Sequence, residues 1–331
     1  MAEGPNRILE MARAFQESRI LLTGAELGVF GAIGDDTLTS ADVAARIGAD
    51  PRATDRLMNA LVVLGLLTKD GGQFSNSPEA REFLVPGRPG YVGGALGHTS
   101  SLWHTWSTLT DAVRAGTSVV KRDDESRDRY VKPFIAAMHF NASRNAEHIL
   151  PELDLTGVRR VIDVGGGSGA YSIAFCRANP DITAVVFDQP DVVPLTQHYA
   201  AEAGLSDRIS TVTGDFTKDE LGRDFDLAFM SHILHSNSPA ENAELIRRAC
   251  RALKPGGQIV VQEFVIDECR TSPPWAVLFA LNMLVGTKAG DTFTESEIRA
   301  WFSDAGFTDI RRADPPGANA TLLLAAKRSK R

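Results

Sequence analysis

The sequence predicts an α/β fold: a Rossmann-like, doubly wound, mostly parallel sheet preceded by an all-helical winged-helix region. Three observations carry that prediction. From Val158 onward, apolar strand runs alternate with helical patterns, the signature of a parallel sheet with helices on both faces. Residues 161–169 read Val-Ile-Asp-Val-Gly-Gly-Gly-Ser-Gly, a hydrophobic strand running into a glycine-rich turn. The first hundred residues are helical in pattern and contain one tight-turn signal, Asp70-Gly71-Gly72.

A chain of 331 residues is long enough for two domains with their own cores. The expected division is a winged-helix region over 1–100, a helical connector over 101–150 and the α/β region over 151–331. Hydrophobic residues make up 43% and charged residues 23%, the balance of a soluble globular chain. No apolar run is long and charge-free enough to span a bilayer, and the N-terminus lacks the apolar core of a secretory leader, so cytoplasmic residence is expected. A net charge of −7 argues against a polyanion such as nucleic acid as partner. Cys176, Cys250 and Cys269 show no Cys-x-x-Cys spacing and no clustered histidines, which predicts free thiols.

The amphipathic stretch Ile8 to Leu22 opens the chain, and a second helical stretch covers Ala25 to Ile33. Thr39 or Ser40 is placed to cap a short helix that Gly48 ends. Pro51 starts the next helix, with Leu57, Leu61 and Leu64 on one face and Met58, Val62 and Val63 beside it. Gln73-Phe74-Ser75 then returns a small hairpin. Helix, helix and hairpin form a winged-helix pattern, yet the second helix carries only Arg52 and Arg56 near its start and is apolar over most of the rest. Such a helix is expected to be buried in its own domain or against a second chain, so dimerisation is favoured over DNA reading.

From Gly90 to Leu150 a helical segment contains Trp103 and Trp106, three apart and so on one face, and then a helix from Pro133 with Met138 and His139. Strands are expected at Arg160–Val164, Thr183–Asp188, Ile209–Gly214, Phe225–Ser231 and Gln258–Val265, with two late strands around Asp309–Arg312 and Ala320–Ala326. In such sheets ligands bind at the carboxyl ends of the strands, where Asp163, Asp188, Asp215 and Ser231 fall.

A glycine turn lets a ligand approach bare backbone. Gly165, Gly167 and Ala170 fit a dinucleotide fingerprint, with Asp188 about twenty residues on. Asp163, just before the turn, would repel a pyrophosphate and welcome a cationic ligand. S-adenosylmethionine (SAM) carries a sulfonium and an ammonium and no phosphate, so Asp163 and Asp188 favour it over NAD. Asp188 is placed to grip a ribose through two carboxylate oxygens, and Asp215-Phe216 suits an adenine amino group and its face. The fourth strand leads to Ser231-His232-Ile233-Leu234-His235. A histidine there stands beside the ligand, and imidazole's ordinary pKa near 6.5 fits it to take a proton from a phenol. A metal held by His232 and His235 is not expected, because no acidic or cysteine ligand lies nearby in sequence. Glu263, ending the fifth strand, is placed to orient the histidine through its other nitrogen.

With these residues in view, the chain resembles the SAM-dependent class I O-methyltransferases of the plant caffeate and flavonoid, hydroxyindole and bacterial polyketide-tailoring type. The resemblance covers nearly the whole length. It rests on Ala25-Glu26-Leu27-Gly28-Val29-Phe30, Leu64-Gly65-Leu66-Leu67, the run from Asp163 to Gly169, Phe187-Asp188-Gln189-Pro190, Gly214-Asp215-Phe216 and Leu253-Lys254-Pro255-Gly256-Gly257. It implies cofactor contacts at Gly165, Asp188, Asp215, Phe216 and Ser231, a catalytic base at His235, S-adenosylhomocysteine as product, no metal, and a homodimer formed through the N-terminal helices. Trp103, Met138, His139 and Met283 are candidates for the wall of a small aromatic acceptor's pocket.

Two places depart from the family pattern. His235 is followed by Ser236-Asn237 where the family has Asp-Trp. Gly290-Asp291-Thr292-Phe293-Thr294 replaces Gly-x-Glu-Arg-Thr, which displaces the acid by one position. These departures leave methylation of carbon, or SAM binding without transfer, as alternatives to O-methylation, and an NAD-dependent oxidoreductase as a more distant one.

Overall fold

A computed structural model describes residues 4–121, 124–318 and 320–328. The chain divides into two compact units, Met1–Trp103 and His104–Arg331, and the division falls inside the helix Gly93–Trp106.

In the first unit the stretch expected as one helix is interrupted at Ala14, giving Gly4–Arg13 and Phe15–Glu26. Thr39 caps the helix Ser40–Ile47 through a reciprocal pair with Asp42, and Gly48 at φ 65° ends it; a left-handed residue there is cheap only for glycine. Asp50 caps the helix Pro51–Val63. The hairpin strands Leu67–Asp70 and Gln73–Asn76 gain a third short strand, Leu38–Thr39, so the strictly all-helical expectation is amended to that extent. Phe30, Ile33, Met58, Leu61, Leu67 and Phe74 form the core. The helix Pro51–Val63 is not buried all round: Thr54, Met58 and Leu61 form its buried stripe, while Val63 is 86% exposed.

The second unit is built on seven strands: β1 Arg160–Val164, β2 Thr183–Asp188, β3 Ile209–Thr213, β4 Phe225–Ser231, β5 Leu253–Glu263, β6 Phe307–Ala313 and β7 Thr321–Lys327. Their order across the sheet is β6-β7-β5-β4-β1-β2-β3. Strands β1 to β5 are parallel, and β7 runs antiparallel to both β5 and β6. The chain leaves β1 toward β2 and β3, then returns on its other side at β4, so the boundary between β1 and β4 is the switch point where such sheets bind ligands. Strand β5 begins at Leu253 rather than Gln258 and ends at Glu263. Phe264 leaves the sheet, and Val265–Ile266 pairs instead with Phe293–Thr294.

Strand alternation sorts side chains onto two faces. Ile162, Val164, Met230 and Val261 join the core on one face, and Val161, Phe229 and Val260 the core on the other. By the same alternation Asp163, Ser231 and Gln262 share the second face, while Glu263 belongs to the first. Cys176, Cys250 and Cys269 are free thiols. Among the described residues no helix is long and apolar enough to cross a membrane.

Candidate active site

The glycine turn follows β1. Gly165, Gly167 and Gly169 all have positive φ, which only glycine adopts without strain. A Cβ on Gly165 would lie 2.7 Å from Ile233, and one on Gly166 would lie 2.6 Å from the carboxyl carbon of Asp163. Asp163 thus sits beneath the turn, fully buried, with Oδ2 accepting from the Ser172 hydroxyl at 2.7 Å and Oδ1 unpartnered. Burial pushes its carboxyl up to about 7, against the pull of Ser172 and with help from the charge of Asp188. Asp163 therefore does not present the fixed negative charge expected from the sequence: near neutral pH this group is only partly ionised.

Asp188 ends β2 with one carboxylate oxygen accepting from the Gly167 amide at 2.8 Å and the other from the Gln189 amide at 2.7 Å. Burial raises this carboxyl above its ordinary value while the two amides oppose the rise. Asp215, beyond β3, is held down to about 2 by Lys218 and Thr217. Phe216 lies 3.5 Å from where a Gly165 Cβ would stand, so its ring edge borders the turn. Ser231 ends β4, its hydroxyl donating to Gln262 Oε1 at 3.1 Å.

Past β4, His232 takes φ 55°, an uncommon conformation for a residue with a side chain, and the following turn presents His235. Its Nδ1 lies 2.8 Å from Oε1 of Glu263, and its amide donates to Oε2 of the same carboxylate at 3.2 Å. The Phe264 amide adds a third donor at 2.8 Å. Burial works against the charge of Glu263, but the imidazoles of His235 and His232 overcome it and hold the carboxyl far below the usual range. Sequence spacing missed that Glu263 joins both histidines: ligand-type atoms of the three lie within 4.8 Å of one another. The ground on which a metal was set aside, that no acid lies nearby, is therefore corrected, and the three residues form a donor set able to hold an ion.

The two departures have structural answers. Asn237 is buried and donates to Asn242 Oδ1 at 3.1 Å and to the Ile233 carbonyl at 3.2 Å, while Asn242 donates to the Leu234 carbonyl at 2.9 Å. This amide pair pins the histidine turn. Asp291 turns its carboxylate to Arg270 at 3.3 Å, and only its amide meets this turn, donating to the His235 carbonyl at 3.0 Å. It does not supply a second acid to the histidine ring.

Residues 106–308 match the model of the O-methyltransferase domain and residues 9–86 that of the O-methyltransferase dimerisation domain. The chain belongs to the O-methyltransferase family. It is 34% identical over 331 residues to the tetracenomycin polyketide synthesis 8-O-methyl transferase TcmO of Streptomyces glaucescens, covering 98% of this chain and 97% of that protein. It is 32% identical over 326 residues to the 3-hydroxy-5-methyl-1-naphthoate 3-O-methyltransferase of Streptomyces sahachiroi, covering 96% and 94%. The structure of human N-acetylserotonin methyltransferase in complex with SAM superposes with a TM-score of 0.85 at 28% identity, covering 99% of each chain. Dependence on SAM comes with the family.

In this methyltransferase the other predicted wall residues are scattered. Trp103 belongs to the first unit, where its ring meets Phe15 at 6.4 Å and the Arg19 guanidinium at 5.5 Å. Its helical neighbour Trp106 instead donates to Asn282 at 2.9 Å. His139 packs on the outer side of the glycine turn, with Nδ1 2.8 Å from the Ser168 hydroxyl and its ring stacked on Tyr199 at 3.9 Å, so it supports the turn rather than lining a wall beside His235. Met283 is buried in the helix Pro274–Gly286 and Met138 is half-buried in the helix Asp124–Ile149. Sequence reasoning missed the aromatic rings that do surround the histidine. Phe279 meets His235 edge-on at 4.9 Å, and Phe264 packs at 4.2 Å from His232, 4.6 Å from Phe279 and 4.9 Å from Trp275. An aromatic residue directly after Glu263 was the available signal. A cavity of about 390 Å³ lies behind the histidine turn, lined by Arg270, Leu284, Lys288 and Gly290 but by neither His235 nor Glu263.

Proposed function

We propose that this methyltransferase transfers the SAM methyl group to a hydroxyl of a small, flat aromatic acceptor, with His235 as general base and Glu263 as its orienter. The observation that carries the reading is the 2.8 Å contact between His235 Nδ1 and a carboxylate held ionised in a buried site. An ionised carboxylate accepts hydrogen bonds only, so Nδ1 bears the proton and the Nε2 lone pair is left for the acceptor hydroxyl. Once that proton is taken, the charge on Glu263 stabilises the imidazolium. Phe264, Phe279 and Trp275 supply the faces and edges against which an aromatic ring packs.

The turn and the next strand ends fit SAM. Gly165 and Gly167 leave backbone open to a ligand, Asp188 is pinned in place by two amides, and the Asp163 carboxylate beneath the turn has an unpartnered oxygen. Asp188, Asp215, Phe216 and Ser231 are proposed to hold the ribose and adenine sides, and Gly165, Gly167 and Asp163 the methionine end. When bound, SAM supplies an electrophilic methyl group, and the task left to this chain is to hold the acceptor oxygen in line with it. The protein is proposed to act as a cytoplasmic homodimer joined through its first unit, with no nucleic acid or membrane partner. Deprotonation of the acceptor is proposed to need no metal, because Nε2 of His235 takes the acceptor's proton itself.

His235→Ala tests this. Calorimetry should find SAM affinity nearly unchanged, and turnover on a hydroxylated aromatic acceptor should fall by about a hundredfold or more. Unchanged turnover would remove His235 from the role of base. Tight SAM binding with no transfer to any hydroxylated aromatic by the unaltered protein would leave a SAM-binding family member without transferase activity.

A further inference from the structure

Gln262 is out of keeping with its strand. It stands in Ile259-Val260-Val261-Gln262-Glu263 with no exposure, behind three apolar residues and in register with Leu322 on one side and Ser231 on the other. A buried amide left unpaired is destabilising, so its presence calls for partners, and it has two. Its Oε1 accepts from the Ser231 hydroxyl at 3.1 Å, and its Nε2 lies 3.3 Å from Nε2 of His232. The Tyr171 phenol borders the same pair from the helix after the glycine turn. On the other side of the His232 ring, Nδ1 is buried without a hydrogen-bond partner and faces Oε1 of Glu263 at 3.6 Å. The ring itself lies against Phe264.

These contacts admit one neutral form of the His232 ring. An amide NH₂ can only donate, so Nε2 must present its lone pair. Nδ1 then carries the proton on the side where the carboxylate lies 3.6 Å away, whereas the other tautomer would set a lone pair against a buried negative charge. We infer that Gln262 is a positioning residue that fixes His232 in its Nδ1–H tautomer, so that His232 and His235 share Glu263 and a continuous polar array joins Ser231 on one face of the sheet to the base on the other. The array runs from the Ser231 hydroxyl to the Gln262 amide, to the His232 ring, to Glu263 and to His235. The left-handed backbone at His232 lets a ring that follows β4 reach over the end of β5. Its consequence for methyl transfer rests on the function proposed above, but the tautomer is a property of the resting protein.

Two readouts separate those claims. In protein with ¹⁵N-labelled histidine, the ring nitrogen shifts of His232 should show Nδ1–H in the unaltered chain. Gln262→Leu should weaken that preference, leaving Glu263 alone to hold it, and Gln262→Glu should add a proton at Nε2 while Nδ1 keeps its own, because a carboxylate accepts where the amide donated. In turnover assays Gln262→Leu should lower kcat by about tenfold while the KM for the acceptor stays within about threefold. An Nε2–H tautomer in the unaltered chain, or the same ring shifts in all three proteins, overturns the inference even if methyl transfer proceeds. Tautomers as described, with kcat unaffected in Gln262→Leu, would overturn the link to turnover alone. If no acceptor is methylated by the unaltered chain, the function proposed above fails while the tautomer result stands.

Discussion

Nδ1 of His235 and Oε1 of Glu263 stand 2.8 Å apart at a point where the carboxylate has no exposure to solvent. The carboxylate also accepts from the backbone amides of residues 235 and 264, so its position is fixed independently of the imidazole. Glu263→Gln keeps the shape but replaces an acceptor-only group with one that can donate, which allows the wrong histidine tautomer. We expect kcat to fall by about 10²–10⁴-fold with SAM affinity nearly intact. Loss of SAM binding in the same variant would mean that the carboxylate organises the cofactor side instead.

Asp188 is expected to matter for binding rather than chemistry. Its two oxygens are held by the Gly167 and Gln189 amides, so Asp188→Ala removes a ribose acceptor and also frees the glycine turn. SAM affinity should weaken by at least about tenfold, in line with losing hydrogen bonds to a charged group. Isothermal titration with SAM measures this directly, and affinity equal to that of the unaltered protein would rule out the assigned contact.

Asp163 gives a stability prediction with a definite sign. Its folded value of about 7 exceeds the unfolded value of about 3.9, so between the two the folded chain keeps a proton that the unfolded chain has released. The stability contributed here is fully present below pH about 4 and is lost as pH rises through about 7. Asp163→Asn, which carries no charge at either pH, should raise Tm at pH 8 by about 2–4 °C or more and change it little at pH about 4. Equal shifts at both pH values, measured by calorimetry without SAM, would show that burial of the charge is not the cause.

The first unit exposes Ile8 at 70% and Met11 at 68%, three apart on one side of the helix Gly4–Arg13, with Phe15 exposed at 55% just past the break at Ala14. Sedimentation should find a dimer, and Ile8→Asp with Met11→Asp should shift it toward monomer. A dimer unchanged by both substitutions would place the interface elsewhere.

Removal of divalent ions is expected to leave turnover unchanged. His232, His235 and Glu263 form a donor set close enough to hold an ion, but His235 Nδ1 already uses its proton to bond the carboxylate. Activity lost in EDTA and restored by zinc or magnesium would replace base catalysis with metal chemistry.

The strands were the most legible part of the fold, because β1, β2 and β4 are apolar runs that end sharply in a glycine turn or a polar residue. The start of β5 was misplaced because Lys254 to Gly257 reads as a turn, yet Leu253 before it already pairs with β4 and regular pairing resumes at Gln258 after an irregularity. At the site, strand-end logic was enough to find Asp188 and Glu263. It failed for the metal-type cluster because Glu263 lies 28 residues from His235 and only the parallel pairing of β4 with β5 brings them together. Phe279 was invisible for another reason: the helix Pro274–Gly286 is apolar on every side, so no periodicity marks the face that meets the histidine. Gln262 was visible as a polar residue directly after the apolar run Ile259–Val261, though nothing local revealed what its amide faces.

The placement of Gln262 and Glu263 on consecutive positions of one strand limits how this chain can vary. Inserting or deleting a single residue between Gln258 and Gln262, where β5 pairs regularly with β4, would rotate every later side chain to the opposite face. The carboxylate would then point toward Ser231 and the amide toward the histidine turn, exchanging the groups on the two sides of the reaction. The length of β5 from Gln258, where its regular pairing with β4 begins, to Glu263 is therefore fixed by parity, whereas the irregular stretch 254–257 ahead of it is free of that constraint.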